Sequence, residues 1–175
     1  MLVHRALVYD SPAQLAATVA PFLSEGLERG DELLVATRRE CHAPLRSALG
    51  ELAGRVGVED AGVWQTRPAA RLVALRRMAD ALRAGAELRA VHEPLWDGSA
   101  ESVREWVRFE AIVNAIFAEL PLRLVCVYAR SSLSPKVLEH ARRTHPELLE
   151  DGGVRINPEY RAPELYLGPR RPRRT

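Results

Sequence analysis

Two cysteines and a single lysine, Lys136, occur among 175 residues, and each scarcity removes a class of protein from consideration. Cys41 and Cys126 lie far apart and form no C-x-x-C pair, which argues against a disulfide framework or a structural zinc site. The arginine bias of the 25 basic residues is read as the mark of a GC-rich genome rather than of selection for phosphate recognition, and net charge is only +2. Much of the basic character comes from Arg170, Arg171, Arg173 and Arg174 at the very end, so no direct nucleic-acid partner is expected. No apolar run approaches the ~18 residues of a membrane span, and the start Met1-Leu2-Val3-His4 has none of the features of a secretory signal. A cytoplasmic protein with no membrane contact is the expectation. Also missing are G-x-S-x-G, Walker A and G-x-G-x-x-G motifs, which speaks against covalent and phosphoryl-transfer catalysis. The five histidines share no H-x-x-x-H spacing, so neither a metal nor a cofactor is expected.

What is present is an alternation of short apolar strands with amphipathic helices. Leu7, Val8 and Tyr9 make a buried strand, after which Ser11-Pro12 supplies an N-cap and a first-turn proline for a helix to about Arg29. A glycine-rich phosphate loop is absent from the junction where a nucleotide-binding domain would carry it. Residues 32–36 form a second strand, and Thr37 is placed to cap a helix containing Leu45 and Leu49. A third strand is expected between Val56 and Trp64, a helix from Pro68 to Gly85, and a fourth strand from Glu87 to Glu93. Ser99 caps a long helix to Glu119, residues 122–128 form the strongest strand signal, and Ser134-Pro135 opens a helix to Thr144. An edge strand is expected near 154–156. The pattern predicts one α/β domain over residues 1–168, three-layered with a mainly parallel central sheet, and a basic disordered tail at 169–175.

In open parallel sheets ligands gather beyond the carboxyl ends of the strands. The residues there, Tyr9, Glu93, Trp96, Cys126 and Tyr128, combine aromatic surface with a few polar handles and suit a small, partly apolar ligand. They equally suit plain packing of the sheet's upper edge. Glu110 falls within the apolar arc Val103, Trp106, Val113 and Phe117 of its helix, with Asn114 near the arc's edge. An unpaired carboxylate there would cost several kcal/mol, so it needs a partner: either an arginine such as Arg108, or a ligand. His4 opens the first strand and His92 closes the fourth, positions typical of satisfied sheet-edge histidines. Cys126 could serve a small hydrolase or transferase only with a lowered pKa and a neighbouring base.

The run His4-Arg5-Ala6-Leu7-Val8-Tyr9, the segment Pro21 to Ala36, and Glu93-Pro94-Leu95-Trp96-Asp97-Gly98 together resemble the MEDS sensory domain. So do Arg108-Phe109-Glu110-Ala111-Ile112-Val113-Asn114, Cys126-Val127-Tyr128 and Ala141-Arg142-Arg143-Thr144-His145-Pro146. The resemblance implies a RecA-like core lacking the phosphate loop, and a non-catalytic sensor for hydrocarbon derivatives or similar small molecules. The ligand-binding set expected at the strand ends and on the helix bearing Glu110 is His4, Tyr9, Glu93, Trp96, Arg108, Glu110, Asn114, Cys126 and Tyr128. The partner the resemblance implies is a histidine-kinase-like or anti-sigma-type signalling protein, and the chain would be a stand-alone sensor or an excised input module; a homodimer is the other association considered. Ala6 stands where many members carry cysteine, and Ala129 where the C-x-Y motif commonly continues with aspartate, so any role of those groups is altered here. The rivals are a cysteine- or carboxylate-dependent enzyme and a pure interaction module.

Overall fold

A computed structural model describes residues 1–63, 68–150 and 153–168. The basic tail, Trp64 at the end of the expected third strand and Gly152 lie outside the described residues.

The first helix shows how local sequence sets each element. Strand β1 (Val3–Tyr9) ends at Asp10, and the Ser11 hydroxyl accepts a hydrogen bond from the Gln14 amide to start α1 (Pro12–Arg29). Gly30, at φ 74°, closes the helix in the left-handed conformation that a side chain would resist. The chain then runs through β2 (Glu32–Thr37), α2 (His42–Leu49), β3 (Val58–Asp60), α3 (Pro68–Asp80), β4 (Leu88–His92), α4 (Ala100–Ile116) and β5 (Leu122–Ala129). It finishes with α5 (Pro135–Thr144), β6 (Glu147–Glu150), β7 (Gly153–Ile156) and α6 (Glu164–Leu167).

The seven strands form one sheet in the order β3-β2-β4-β5-β1-β6-β7, parallel throughout except for β7, which pairs antiparallel to β6. Two hydrophobic clusters lie on its two sides. Leu7, Leu15, Val19, Leu23, Leu45 and Val127 pack beneath α1 and α2, while Leu88, Trp106, Phe109, Val113, Leu124 and Ala141 pack beneath α3, α4 and α5. This is a three-layer α/β domain with a mainly parallel sheet.

Several boundaries move. Thr37 does not cap a helix: it continues β2 by pairing with Asp60, and α2 begins only after a 3₁₀ turn at Arg39–Cys41. The third strand shrinks to three residues, because the chain turns directly after Asp60, whose side chain accepts from the Gly62 amide and whose carbonyl accepts from the Val63 amide. Helix α3 stops at Asp80, well before Gly85, which takes a positive φ in the turn into β4. Helix α4 ends at Ile116, since the chain must reverse before Pro121. The edge strand expected near 154–156 is present as β7, but β6 and α6 are additions, each of four residues and too short to show a period.

Candidate functional site

Parallel register decides which side chains meet. β1 and β5 pair with Ala6 opposite Cys126 and Tyr9 opposite Ala129, and successive residues alternate between faces. Tyr9 therefore points to the α1 side and Tyr128 to the α4 side, although both lie at the carboxyl ends of their strands. At the end of β4, His92 packs against Trp106 and Phe109 on the α4 side, while the following Glu93 reaches Tyr9. The expected site residues thus split between two faces.

On the α1 side, the Tyr9 hydroxyl donates to Glu93 Oε1 at 2.9 Å, and the Arg38 side chain and backbone amide both bond the same carboxylate at 2.9 Å. Cys41 approaches the Tyr9 hydroxyl at 3.7 Å. Burial raises the Glu93 carboxyl and lifts the Cys41 thiol to about 11, leaving it protonated at neutral pH. Every named group in this network has a partner, and it ties β1, β4 and the start of α2 together.

On the α4 side, Glu110 stands at the centre of a fully buried cluster. Its Oε1 accepts from the Tyr128 hydroxyl at 3.0 Å; its Oε2 lies 3.1 Å from His4 Nε2, 3.5 Å from His145 Nε2 and 3.6 Å from Cys126 Sγ. Cys126 Sγ is also 3.5 Å from His4 Nε2. Burial alone would raise the Glu110 carboxyl, but the imidazoles of His145 and His4 outweigh it and hold the group at about 2. Burial, reinforced by neighbouring His4, depresses the His145 imidazole to about 3. Burial and the Glu110 charge push the Cys126 thiol and the Tyr128 phenol well up.

The partner of Glu110 is therefore not Arg108, which is exposed on α4, but a pair of histidines from β1 and the end of α5. Asn114 supports them: its Oδ1 faces His4 Nδ1 at 3.0 Å and its amide donates to the Thr144 carbonyl at 2.6 Å. A histidine nitrogen does reach Cys126, but inside a closed core with a protonated thiol, and not in a cleft where a substrate could be attacked. His4, Glu110, Cys126 and His145 each offer one metal-ligand atom, and these atoms all lie within 4.8 Å of one another.

Beside this cluster, toward α3, His92 is buried with neither ring nitrogen hydrogen-bonded, among Trp106, Phe109 and the aliphatic Leu34 and Leu75. Arg71 of α3 is almost fully buried and stacks its guanidinium 4.8 Å over the Trp106 ring. Desolvation lowers it to about 10. Trp96, half-buried, packs 6.0 Å from Trp106 with its indole N–H unpartnered. A void of about 10 Å³ separates Arg71, His92 and Phe109, and an outer groove of about 290 Å³ runs between α3 and α4 past Leu72, Glu105, Arg108 and Phe109. A separate cleft of about 240 Å³ at the ends of β1 and β6 is lined by Asp10, Gln14, Arg130 and Arg142, and none of the nine expected residues borders it.

Sequence reasoning missed Arg71 and gave His145 no role. His145 stood in plain view in the Thr144-His145-Pro146 motif, but nothing local says that it turns inward. The pattern of a known protein family matches residues 3–146. Neither a curated protein nor a solved structure matches the chain. The match spans most of the sequence and all the groups around Glu110 and His92, so this chain belongs to the MEDS family, the methanogen/methylotroph DcmR sensory domain.

Proposed function

We propose that this sensory domain binds a small, partly apolar molecule between the end of β4 and helices α3 and α4, and passes its occupancy to a separate signalling protein in the cytoplasm. The observation that carries the reading is His92: a buried imidazole with two unpartnered nitrogens in an aromatic setting, beside the unpartnered Trp96 indole N–H. Buried polar atoms are almost always satisfied, and a compound with an apolar body and one or two hydrogen-bonding atoms would satisfy these. The void of about 10 Å³ is too small to hold such a compound. Entry would follow the groove past Arg108 and would part α3 from α4 at Phe109, which lines both groove and void.

That separation is the signal. A ligand shifts such a balance only by its difference in affinity for the two arrangements, and filling unpaired hydrogen-bonding groups provides one. The receiving partner that best fits the family resemblance is a histidine-kinase-like or anti-sigma-type protein. The test is thermal shift against small alcohols, halocarbons, organic acids and nucleotides, using the parent, His92→Phe and Trp96→Ala. Alcohols or halocarbons should raise the parent's melting temperature by several degrees, and both variants should lose most of that gain. Stabilisation of the parent by none of these compounds, or equal stabilisation of all three proteins, refutes the reading.

A further inference from the structure

We propose that His4, Glu110, Cys126 and His145 bind one divalent metal ion of the zinc class, with all four coordination positions filled by the protein. This goes beyond small-molecule sensing and depends only on the geometry of the cluster.

The spacing is that of a tetrahedral site. Zinc bonds of about 2.0–2.1 Å to nitrogen and oxygen and about 2.3 Å to sulfur put neighbouring ligand atoms roughly 3.3–3.6 Å apart. Four of the six edges are close to this: 3.1 Å for His4 Nε2 to Glu110 Oε2, 3.5 Å for His145 Nε2 to Glu110 Oε2, 3.6 Å for Cys126 Sγ to Glu110 Oε2, and 3.5 Å for Cys126 Sγ to His4 Nε2. The two others are no longer than 4.8 Å. Both involve His145 Nε2, so the ion would have to draw that ring inward.

The surrounding hydrogen bonds prepare the ligand atoms. The Asn114 amide donates to the Thr144 carbonyl, which leaves Oδ1 as the acceptor facing His4; His4 Nδ1 must then carry the proton. His145 Nδ1 lies 2.6 Å from the Ala141 carbonyl, which can only accept, so that nitrogen is protonated too. Both rings therefore aim Nε2 into the cluster, and outer partners of this kind fix tautomer and orientation at metal-binding histidines. The Tyr128 hydroxyl holds the other Glu110 oxygen at 3.0 Å. His145 Nε2 makes no hydrogen bond although its side chain is wholly buried. That orphaned nitrogen faces a carboxylate oxygen at 3.5 Å, an arrangement that a cation held by both would satisfy.

Charge closes the account. The hydrogen bond from His4 to Glu110 needs one proton at their shared edge, and the Cys126 thiol carries another. A divalent ion entering the cluster would send both protons to solvent and form bonds to thiolate, carboxylate and two neutral imidazoles. Two positive charges leave and two arrive, so the apolar core beneath α4 gains no net charge. Mixed nitrogen, sulfur and oxygen donors in a tetrahedron favour zinc over calcium or magnesium.

The experiment strips the full chain with a chelator and titrates it with Co²⁺, then with Zn²⁺. One equivalent of cobalt should give the intense visible bands of a four-coordinate ion and a sulfur-to-cobalt charge-transfer band, and one equivalent of zinc should erase both. Cys126→Ser should lose the charge-transfer band, His145→Ala should weaken binding by more than tenfold, and His42→Ala, outside the cluster, should behave as the parent. A pale six-coordinate spectrum without the sulfur band, substoichiometric binding, or an unchanged Cys126→Ser spectrum overturns the proposal. If the variants fail to fold, the parent's charge-transfer band decides alone. Running the small-molecule thermal shifts on stripped and zinc-loaded protein lets the two readings fail separately.

Discussion

His92 and Arg89 mark two ways in which this core holds polar groups. Burial and the nearby Arg71 charge keep the His92 imidazole well below its usual value near 6.5. The unfolded chain therefore takes up a proton as pH falls through about 6.5, while the folded chain does not, so stability drops below that pH. His92→Phe removes this group and leaves His145 as the other buried neutral imidazole, so it should lessen the fall in melting temperature between about pH 7 and pH 5; a parent-like slope would show that His92 does not contribute. Arg89, by contrast, is held through Nε and Nη1, which donate to Asp31 at 2.7 Å, to the Phe22 carbonyl at 2.9 Å and to Glu25 at 2.9 Å, while Nη2 stays unpartnered. Arg89→Met leaves the Asp31 carboxylate without its buried partner and should cost about 3–5 kcal/mol in urea unfolding. Sequence placed Glu110 inward from its helical spacing, and it is buried. It did not supply the partner, since histidines some hundred residues upstream and thirty-five downstream carry no mark of their meeting.

Elements were more legible than contacts, because caps and periods are local. Ser11-Pro12, Ser99 and Ser134-Pro135 announce three helix starts, and all three serines accept a bond from an amide three residues on. Ser11→Ala should cost α1 about 1 kcal/mol, read as a lower urea midpoint with unchanged slope. Gly26 has a different meaning, visible only in three dimensions. A Cβ there would come within 2.7 Å of Arg89 Cδ and 2.9 Å of Leu33 Cδ2. Alanine is the better helix former by about 1 kcal/mol, yet Arg89 is pinned at both ends and cannot withdraw. Gly26→Ala is therefore expected to destabilise the protein by about 1–3 kcal/mol, and a stabilised variant would show that α1 can lift off the sheet. The strands that escaped notice or shrank, β6 and β3, have only four and three residues. Their pairing is imposed by the neighbouring strands rather than by their own pattern.

Across the whole molecule, stability should fall from the middle of the sheet to its edges. β1, β4 and β5 are each flanked on both sides, whereas β3 and β7 end the sheet, and β7 leaves Ile156 82% exposed. Hydrogen exchange should be slowest in β4, β5 and β1 and fastest in β7, and Ile156→Lys should leave the melting temperature almost unchanged. Slow exchange in β7, or a clear loss of stability in Ile156→Lys, would show that this edge is covered in solution.

The amino-acid sequence by itself determined the alternation of strands and helices, most helix starts, the inward face of α4 and the family, since each is written in residues close together along the chain. The tertiary structure alone decided that Tyr9 and Tyr128 part to opposite faces and that His4, Glu110, Cys126 and His145 meet. Helical and strand periods fix the direction of a side chain relative to its own element; what stands opposite depends on strand order and register, which belong to the packed sheet as a whole.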